Sequence, residues 1–567
     1  MIEETIHNAI VKALVTLGVA EGLDFVVEVP ADLSHGDLAT NVAMIVAKEK
    51  GSSPRKFAEE LKEILSAELA DSVSEITIAG AGFINFHLAR TVFKETLEDA
   101  LKNPDTFGKN ETKKGTQTMV EYTDPNVMKP FHVGHLMSNT IGESFSRLIE
   151  NSGAEVQRAN YFSDVGIGIA KAVWGIRDLK DAMPDEVAPI TDRTDFLGHA
   201  YVHGVTEAEK NIDVAEEVKK INKALYEKSD PALVELYTIG RRWSIEHFTQ
   251  LYALLGSTFD YFYPESDVAK EGKEIVLKAL GQGVFEKSEG AVVFHGQHTR
   301  VFINSEGLPT YEAKELALNK KKFADVHTDT DKELNHSIVI TASEQDAYFK
   351  VVLEALRRVL PTIAERTQHV SHGMMRFAEG KMSSRTGNVI TGESLLNEAK
   401  EKVLEKMDEK NETNALAIAL GAVKYSILKQ GPGKNIVFDV ASATSLEGDS
   451  GPYLQYSYVR TKSLLEKGRE EGISPSLEKV PDEAHLLERI LFHFEETAQR
   501  AGKELQPQQM VQYLLSVAST FNTWYAQEKI VDVTDEFSPH KLALTKAVGI
   551  TLKRGLWLLG IPVPERM

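Results

Sequence analysis

The chain has 567 residues, of which 42% are hydrophobic and 26% charged, with no cysteine and a formal net charge of −20. That length exceeds what one hydrophobic core organises, so several domains are expected. The missing cysteine excludes disulfides and thiolate-bound zinc, and the acidic balance opposes non-specific attachment to a polyanion.

Met1 to Gly18 sets Glu3 and Glu4 beside Ile6, Ile10, Leu14 and Leu17. This is the spacing of an acidic amphipathic helix, whereas a secretory signal opens on basic residues. No apolar run approaches the ~18 residues that span a bilayer, so a cytoplasmic protein with no membrane partner is expected. Helices are predicted around Leu38–Lys50 and Pro54–Leu69, and short strands over Ile76–Ile78 and Phe83–Phe86. A polar linker runs from Asn103 to Gly115. Thr118–Tyr122 then reads as a strand and Asp124-Pro125-Asn126 as a turn. The following helix reaches about Asn151, with Ile141, Phe145, Leu148 and Ile149 on one face and Gly153 as its stop; Glu155–Phe162 reads as a second strand. Such a βαβ unit builds a parallel sheet that binds ligands at the carboxyl ends of its strands. Residues 178–241 are charged and mostly helical, with a loop-like start at Asp181–Thr191. They read as an insertion, because strand patterns resume at Phe259–Tyr263, Val292–Phe294 and Ser337–Thr341. From Gly451 the pattern is almost wholly helical, as in Ala484–Gly502, Gln508–Gln527 and His540–Leu559. This last part carries 14 Lys and Arg against 15 Asp and Glu, leaving 50 against 69 for the rest, so a polyanion meets little repulsion there.

Two segments carry chemistry. His132-Val133-Gly134-His135 lies after a strand and opens a helix. Glycine there admits a nucleotide close to the backbone, the helix N-terminus favours phosphate, and both imidazoles can donate to charge growing on phosphorus. Alone, the four residues also fit a capped turn with surface histidines. Lys381-Met382-Ser383-Ser384-Arg385-Thr386-Gly387-Asn388 follows the strand-like His369–Met374 and offers cations and hydroxyls suited to the β- and γ-phosphates of ATP. In isolation it also fits an exposed basic loop.

Together these segments resemble the two signatures of class I aminoacyl-tRNA synthetases. Asp124 through His135 is similar to the extended first signature of the arginyl-tRNA synthetase family. Further stretches similar to that family are Gly36–Asn41, Tyr311–Glu315, Ala342–Asp346, Phe521–Tyr525 and Pro564–Met567, so the resemblance spans nearly the whole chain. It implies a multidomain α/β ligase. A small α/β N-terminal domain over residues 1–110 would touch the tRNA elbow. A Rossmann-like catalytic domain over 116–390 would carry the helical insertion at about 178–241, and a connecting stem would occupy 391–450. An all-α anticodon-binding domain would fill 451–567. The implied partners are L-arginine, ATP with Mg²⁺ and tRNA(Arg), without zinc. The implied reaction forms arginyl-adenylate only with tRNA bound, then transfers arginine to the 2′-hydroxyl of the 3′-terminal adenosine. A cytoplasmic monomer serving protein biosynthesis is expected.

The resemblance assigns catalysis to His132, His135, Lys129 and Lys381, and ATP binding to His132, Gly134, His135, Lys381, Met382, Ser383, Ser384 and Arg385. Ser384 stands where the second signature usually has a lysine, and Lys129 is the residue the family pattern offers in compensation. A guanidinium is planar, permanently charged and rich in donors, so a selective site needs carboxylates and oriented acceptors. The resemblance carries those groups onto Asn126, Glu265, Tyr311, Glu315 and Gln345, with Glu315 where the family usually has aspartate. Glu265 and Glu315 would face the guanidinium, and Asn126 and Gln345 the α-amino and carboxylate end. A site of this polar kind can reject analogues by ~10⁴-fold without editing. Tyr453, Tyr456, Tyr458, Trp524 and Met567 are the tRNA candidates, because splayed anticodon bases stack on aromatic rings. Glutamyl, glutaminyl and cysteinyl synthetases (the last excluded by the absence of cysteine for its zinc), a nucleotidylyltransferase without tRNA, and a non-catalytic tRNA-binding relative are the rival readings.

Overall fold

The computed structural model describes residues 2–19, 22–30, 32–51, 53–377 and 390–567. They gather into two compact units. One comprises Met1–Phe107, Ser457–Glu495 and Ser516–Arg554; the other comprises Gly108–Tyr456, Glu496–Leu515 and Gly555–Met567.

The first unit begins with α1 (Ile2–Thr16), β1 (Val27–Glu28), β2 (Leu38–Thr40), α2 (Val42–Lys50), α3 (Pro54–Glu68), β3 (Val73–Ala79), β4 (Phe83–Leu88) and α4 (Arg90–Lys102). The strands pair antiparallel in the order β1-β2-β4-β3. Ile6, Ile10 and Leu14 of α1 meet Leu61 and Leu65 of α3 and Ile84 and Phe86 of β4 in one core. The predicted helix at Leu38–Lys50 is corrected at its start, where Leu38–Thr40 is a strand. Asp37 N–H donates to Phe86 O (2.8 Å) and Leu88 N–H donates to Asp37 Oδ2 (2.8 Å), drawing Leu38 into register with Phe86. This tertiary pairing overrides the helical pattern. Asp37 also receives Arg489 Nε (2.6 Å), and buried Glu488 meets Arg90 (2.7 Å) and His540 (2.7 Å). The Gly36–Asn41 stretch is therefore part of an internal clasp.

The second unit holds β5 (Gln117–Glu121), α5 (Val133–Asn151), β6 (Glu155–Phe162), α6 (Ile167–Asp178), α7 (Ile190–Lys210), α8 (Ile212–Glu227), α9 (Pro231–Leu255), β7 (Tyr261–Pro264) and α10 (Glu265–Leu280). It continues with β8 (Glu286–Ser288), β9 (Ala291–His295), β10 (Thr299–Ile303), α11 (Tyr311–Thr330), β11 (His336–Ala342), α12 (Asp346–Val359) and β12 (Thr367–His372). Five strands form a parallel sheet in the order β12-β11-β5-β6-β7. From β5 the chain builds outward through β6 and β7, then returns to the other side with β11 and β12. That reversal opens a crevice at the carboxyl ends of β5 and β11, where ligands bind in such sheets. The predicted strand Val292–Phe294 lies instead within a separate antiparallel sheet of order β10-β9-β8, since the hairpin between β9 and β10 satisfies its backbone locally. The helical insertion extends further than its sequence pattern, for α9 runs on to Leu255. The predicted helix Ala484–Gly502 is interrupted at His493 into Leu486–Phe492 and Phe494–Glu504. Among the described residues no helix is long and apolar enough to cross a membrane.

Candidate active site

Beyond β5 the backbone passes through left-handed conformations at Thr123 (φ 82°), Asp124 (φ 46°) and Met128 (φ 59°), uncommon for residues other than glycine. The loop delivers His132 as the N-cap of α5. Gly134 N–H donates to His132 Nδ1 (3.1 Å), and His132 N–H donates to His135 Nδ1 (3.3 Å). With each Nδ1 accepting from the backbone, each ring carries its proton on Nε2 and presents an N–H donor. The rings stack at 3.6 Å between centroids. Burial, followed by Lys129, lowers the pKa of His132; burial, followed by His132 and Lys129, takes His135 well below its usual value. Both are neutral donors at neutral pH. A Cβ at Gly134 would lie 2.9 Å from the His132 ring and would displace it.

Lys129 rests with its Nζ 5.0 Å from the Tyr201 ring centroid. Lys381, Met382, Ser383, Ser384 and Arg385 lie outside the described residues. The stretch just after them is tied to the first signature: Val133 N–H donates to Ile390 O (3.3 Å) and Gly392 N–H to Phe131 O (2.8 Å).

Most of the predicted amino-acid pocket assembles at the carboxyl ends of β5, β6 and β7. Asn126 bridges to Ser163, whose hydroxyl donates to Glu265. Glu265, fully buried at the first turn of α10, also receives Lys314 Nζ. Lys314 lies 5.1 Å from the ring of Tyr311, which is 53% exposed. Burial raises the Glu265 carboxyl, with Lys314 opposing, while Glu265 raises Lys314 against the desolvation of its own burial. Glu315, one residue on, is buried beside a second pair, Glu121 and Lys322, whose charged atoms lie 2.5 Å apart. Gln345 is exposed at the start of α12, and no hydrogen bond of its side chain to a described residue is found. Ser163, Lys314, Glu121, Lys322 and Tyr161 are additions of the structure. The Tyr161 hydroxyl is buried and, among the described residues, has no hydrogen-bond partner. Glu121 had a signal in the sequence, as the one carboxylate within the otherwise strand-like Thr118–Tyr122 run.

The tRNA candidates are scattered. Tyr453, Tyr456 and Tyr458 are half-buried on the helix Gly451–Glu470. Trp524 is 5% exposed and packs against His485 and Phe521. Its neighbour Tyr525 is 41% exposed, with the Arg460 guanidinium 4.6 Å from its ring centroid. Met567 packs against Val403, Ala415 and Ile418.

Residues 96–440 match the family described as tRNA synthetases class I (R), catalytic domain. Residues 454–567 match the DALR anticodon binding domain, and residues 2–88 the arginyl tRNA synthetase N terminal domain. The arginine–tRNA ligase of Clostridium kluyveri is 32% identical over 570 residues, covering 97% of both chains. That of Clostridium beijerinckii is 30% identical over 562 residues, covering 96% of this chain and 97% of its own. Among solved structures, the Thermus thermophilus arginyl-tRNA synthetase superposes with a TM-score of 0.79 at 24% identity over 100% of both chains. The Plasmodium falciparum enzyme gives 0.75 at 19% identity over 100% of this chain and 98% of its own, and both likenesses establish the fold.

Proposed function

The chain belongs to the class I arginyl-tRNA synthetase family and joins arginine to tRNA using ATP; from that premise we propose how its residues divide the work. An arginine carboxylate oxygen attacks the α-phosphorus of ATP, the bond to pyrophosphate breaks, and arginyl-adenylate forms. His132 and His135 donate their Nε2 protons to phosphate oxygens as charge grows there, the Gly134 backbone makes room, and Lys129 swings from Tyr201 to share the β- and γ-phosphates with Lys381. Met382, Ser383, Ser384 and Arg385 complete that binding loop. The observation that carries this reading is the pair of stacked imidazoles whose Nε2 donors are set by two backbone amides at the sheet's reversal point.

Glu265 and Glu315 receive the guanidinium beside Tyr311, while Asn126 and Gln345 hold the α-amino and carboxylate end. The 2′-hydroxyl of the terminal adenosine then attacks the adenylate carbonyl and AMP leaves. Among the described residues, the groups that bear on His132 are Lys129, His372 and the carboxylate of Glu344, whereas a protein-held Mg²⁺ takes several oxygens. Mg²⁺ is accordingly assigned to ATP itself, where it would neutralise phosphate charge. Tyr453, Tyr456, Tyr458 and Tyr525 are the proposed anticodon platforms, with Met567 near the tRNA. Residues 1–110 are assigned to the tRNA elbow, 116–390 to catalysis with its insertion, 391–450 to the stem and 451–567 to the anticodon. The protein is proposed to work as a cytoplasmic monomer without zinc.

The test is ATP–pyrophosphate exchange with each of the twenty amino acids, with and without tRNA. Exchange with arginine alone, and only when tRNA is present, is expected. Exchange with another amino acid would overturn the pocket assignment, and arginine exchange without tRNA would overturn the tRNA requirement.

A further inference from the structure

The pocket around Glu315 contains more buried carboxylates than cations to match them. Glu121, Glu265 and Glu315 are 1%, 0% and 4% exposed, while the buried ammonium groups are Lys314 (3%) and Lys322 (0%). Both are committed, Lys314 to Glu265 and Lys322 to Glu121. Glu312 has Arg300 at 3.4 Å. Glu315 is left with the side-chain amide of Asn319 at 3.4 Å and no cation in ion-pair distance among the described residues.

Most of the charged groups around Glu315 are themselves carboxylates, and Lys322 is the cation that opposes them. Glu121 faces it from β5, Glu265 from α10, and Glu312 and Lys322 from its own helix α11. Asp124 lies in the loop after β5 and accepts from Tyr161 N–H (2.9 Å). Tyr161 on β6 and Tyr348 on α12 are half-buried phenols within reach of the same field. An ionised carboxylate so placed lacks both water and a counterion, and a buried group in that position takes up a proton.

Resting on the assignment of Glu315 to the arginine pocket, we infer that the empty pocket keeps a proton on the Glu315 carboxyl and that arginine binds by displacing it to solvent, so that discrimination against its neutral isostere citrulline increases with pH. The guanidinium arrives already charged and supplies the missing cation. Citrulline carries a urea in its place, whose carbonyl accepts a hydrogen bond from the protonated acid but cannot compensate the ionised one. Burial, reinforced by Glu121, pushes the Glu315 carboxyl up to about 8, which places the transition in an accessible range.

The experiment is calorimetric titration of the full chain at pH 6, 7 and 8, each in two buffers of different ionisation enthalpy. A tRNA ending in 2′-deoxyadenosine is present throughout, to satisfy any tRNA requirement without turnover. Arginine is expected to release about 0.9 proton at pH 7 and about 0.5 at pH 8, and its affinity to rise about tenfold from pH 6 to 7. Citrulline should release none and bind more weakly as pH rises. Glu315→Gln should abolish the release and flatten the arginine profile, while Asp124→Asn should leave the release in place. Arginine binding without proton release in the native chain would overturn the inference, as would release that survives in Glu315→Gln. Failure of the pocket assignment reads differently: Glu315→Gln would then bind arginine at pH 8 as tightly as the native chain.

Discussion

Gly134→Ala separates helix capping from catalysis in a single substitution. The new Cβ would sit 2.9 Å from Nδ1 and Cε1 of His132, so the ring must rotate away and surrender the Gly134 N–H bond at 3.1 Å. Losing the cap costs about 1 kcal/mol, while exchanging glycine for alanine in a helical turn returns about 0.8–1 kcal/mol. The two effects nearly cancel, so stability should stay within about 1 kcal/mol of the native chain. Activity has no such compensation. The displaced ring no longer aims Nε2 at the phosphate, and losing one donor to developing charge costs about 10²–10³ in rate. Arginine-dependent ATP–pyrophosphate exchange with tRNA should therefore fall about 100-fold while thermal unfolding barely moves. His132→Asn is the companion: asparagine caps helices as well as any residue but its amide is too short to replace Nε2, so the same split is expected. Exchange by Gly134→Ala within threefold of the native rate would refute the assignment of His132 as a positioned donor.

Other substitutions test separate parts of the structure. Lys314→Met leaves Glu265 buried without its cation and should cost about 3–5 kcal/mol; saturating arginine should then raise the unfolding midpoint more than it does in the native chain, because the guanidinium supplies the lost charge. Arg489→Ala removes the donor at 2.6 Å from Asp37 and should cost about 1.5–3 kcal/mol, detected as faster hydrogen exchange at the Leu88 amide. Trp524→Ala should destabilise by about 3–5 kcal/mol through the cavity it leaves, whereas Tyr525→Ala should preserve stability within about 0.5 kcal/mol yet weaken tRNA binding about tenfold, as loss of one stacked base would. Equal tRNA affinity in Tyr525→Ala and the native chain would remove Tyr525 from the interface.

What the sequence made legible was whatever its own neighbours enforce. Strand β6 begins and ends at the predicted residues because the segment is bounded by Gly153 and by the turn after Phe162, both local signals. Helix α5 was legible for the same reason, opening on its His132 cap and closing before Gly153. Strand β2 was not, because its pairing partner β4 lies more than forty residues further along the chain and nothing in Leu38–Thr40 announces it. The signature residues divide in the same way. Histidine, asparagine and glutamate types are dictated by the ligands they would meet, so the residues at positions 126, 132, 135, 265 and 315 could be singled out by chemistry and resemblance together.

The residues that set the charge state of that chemistry could not. Lys314 sits beside Glu315 in the sequence, yet it pairs with Glu265 across 49 residues. Lys322 belongs to Glu121 on another element, and Glu315 is left with no cation of its own. A linear count finds ample lysine in Tyr311–Lys322 and predicts a neutralised face. Only distances show that each ammonium is already engaged and that the remaining carboxylate must find its counterion in the substrate or keep a proton. Preference for a fixed cation therefore comes from the pairing of the neighbours as much as from the carboxylate itself, and a change at Lys314 or Lys322 should alter arginine recognition without touching any residue assigned to contact arginine.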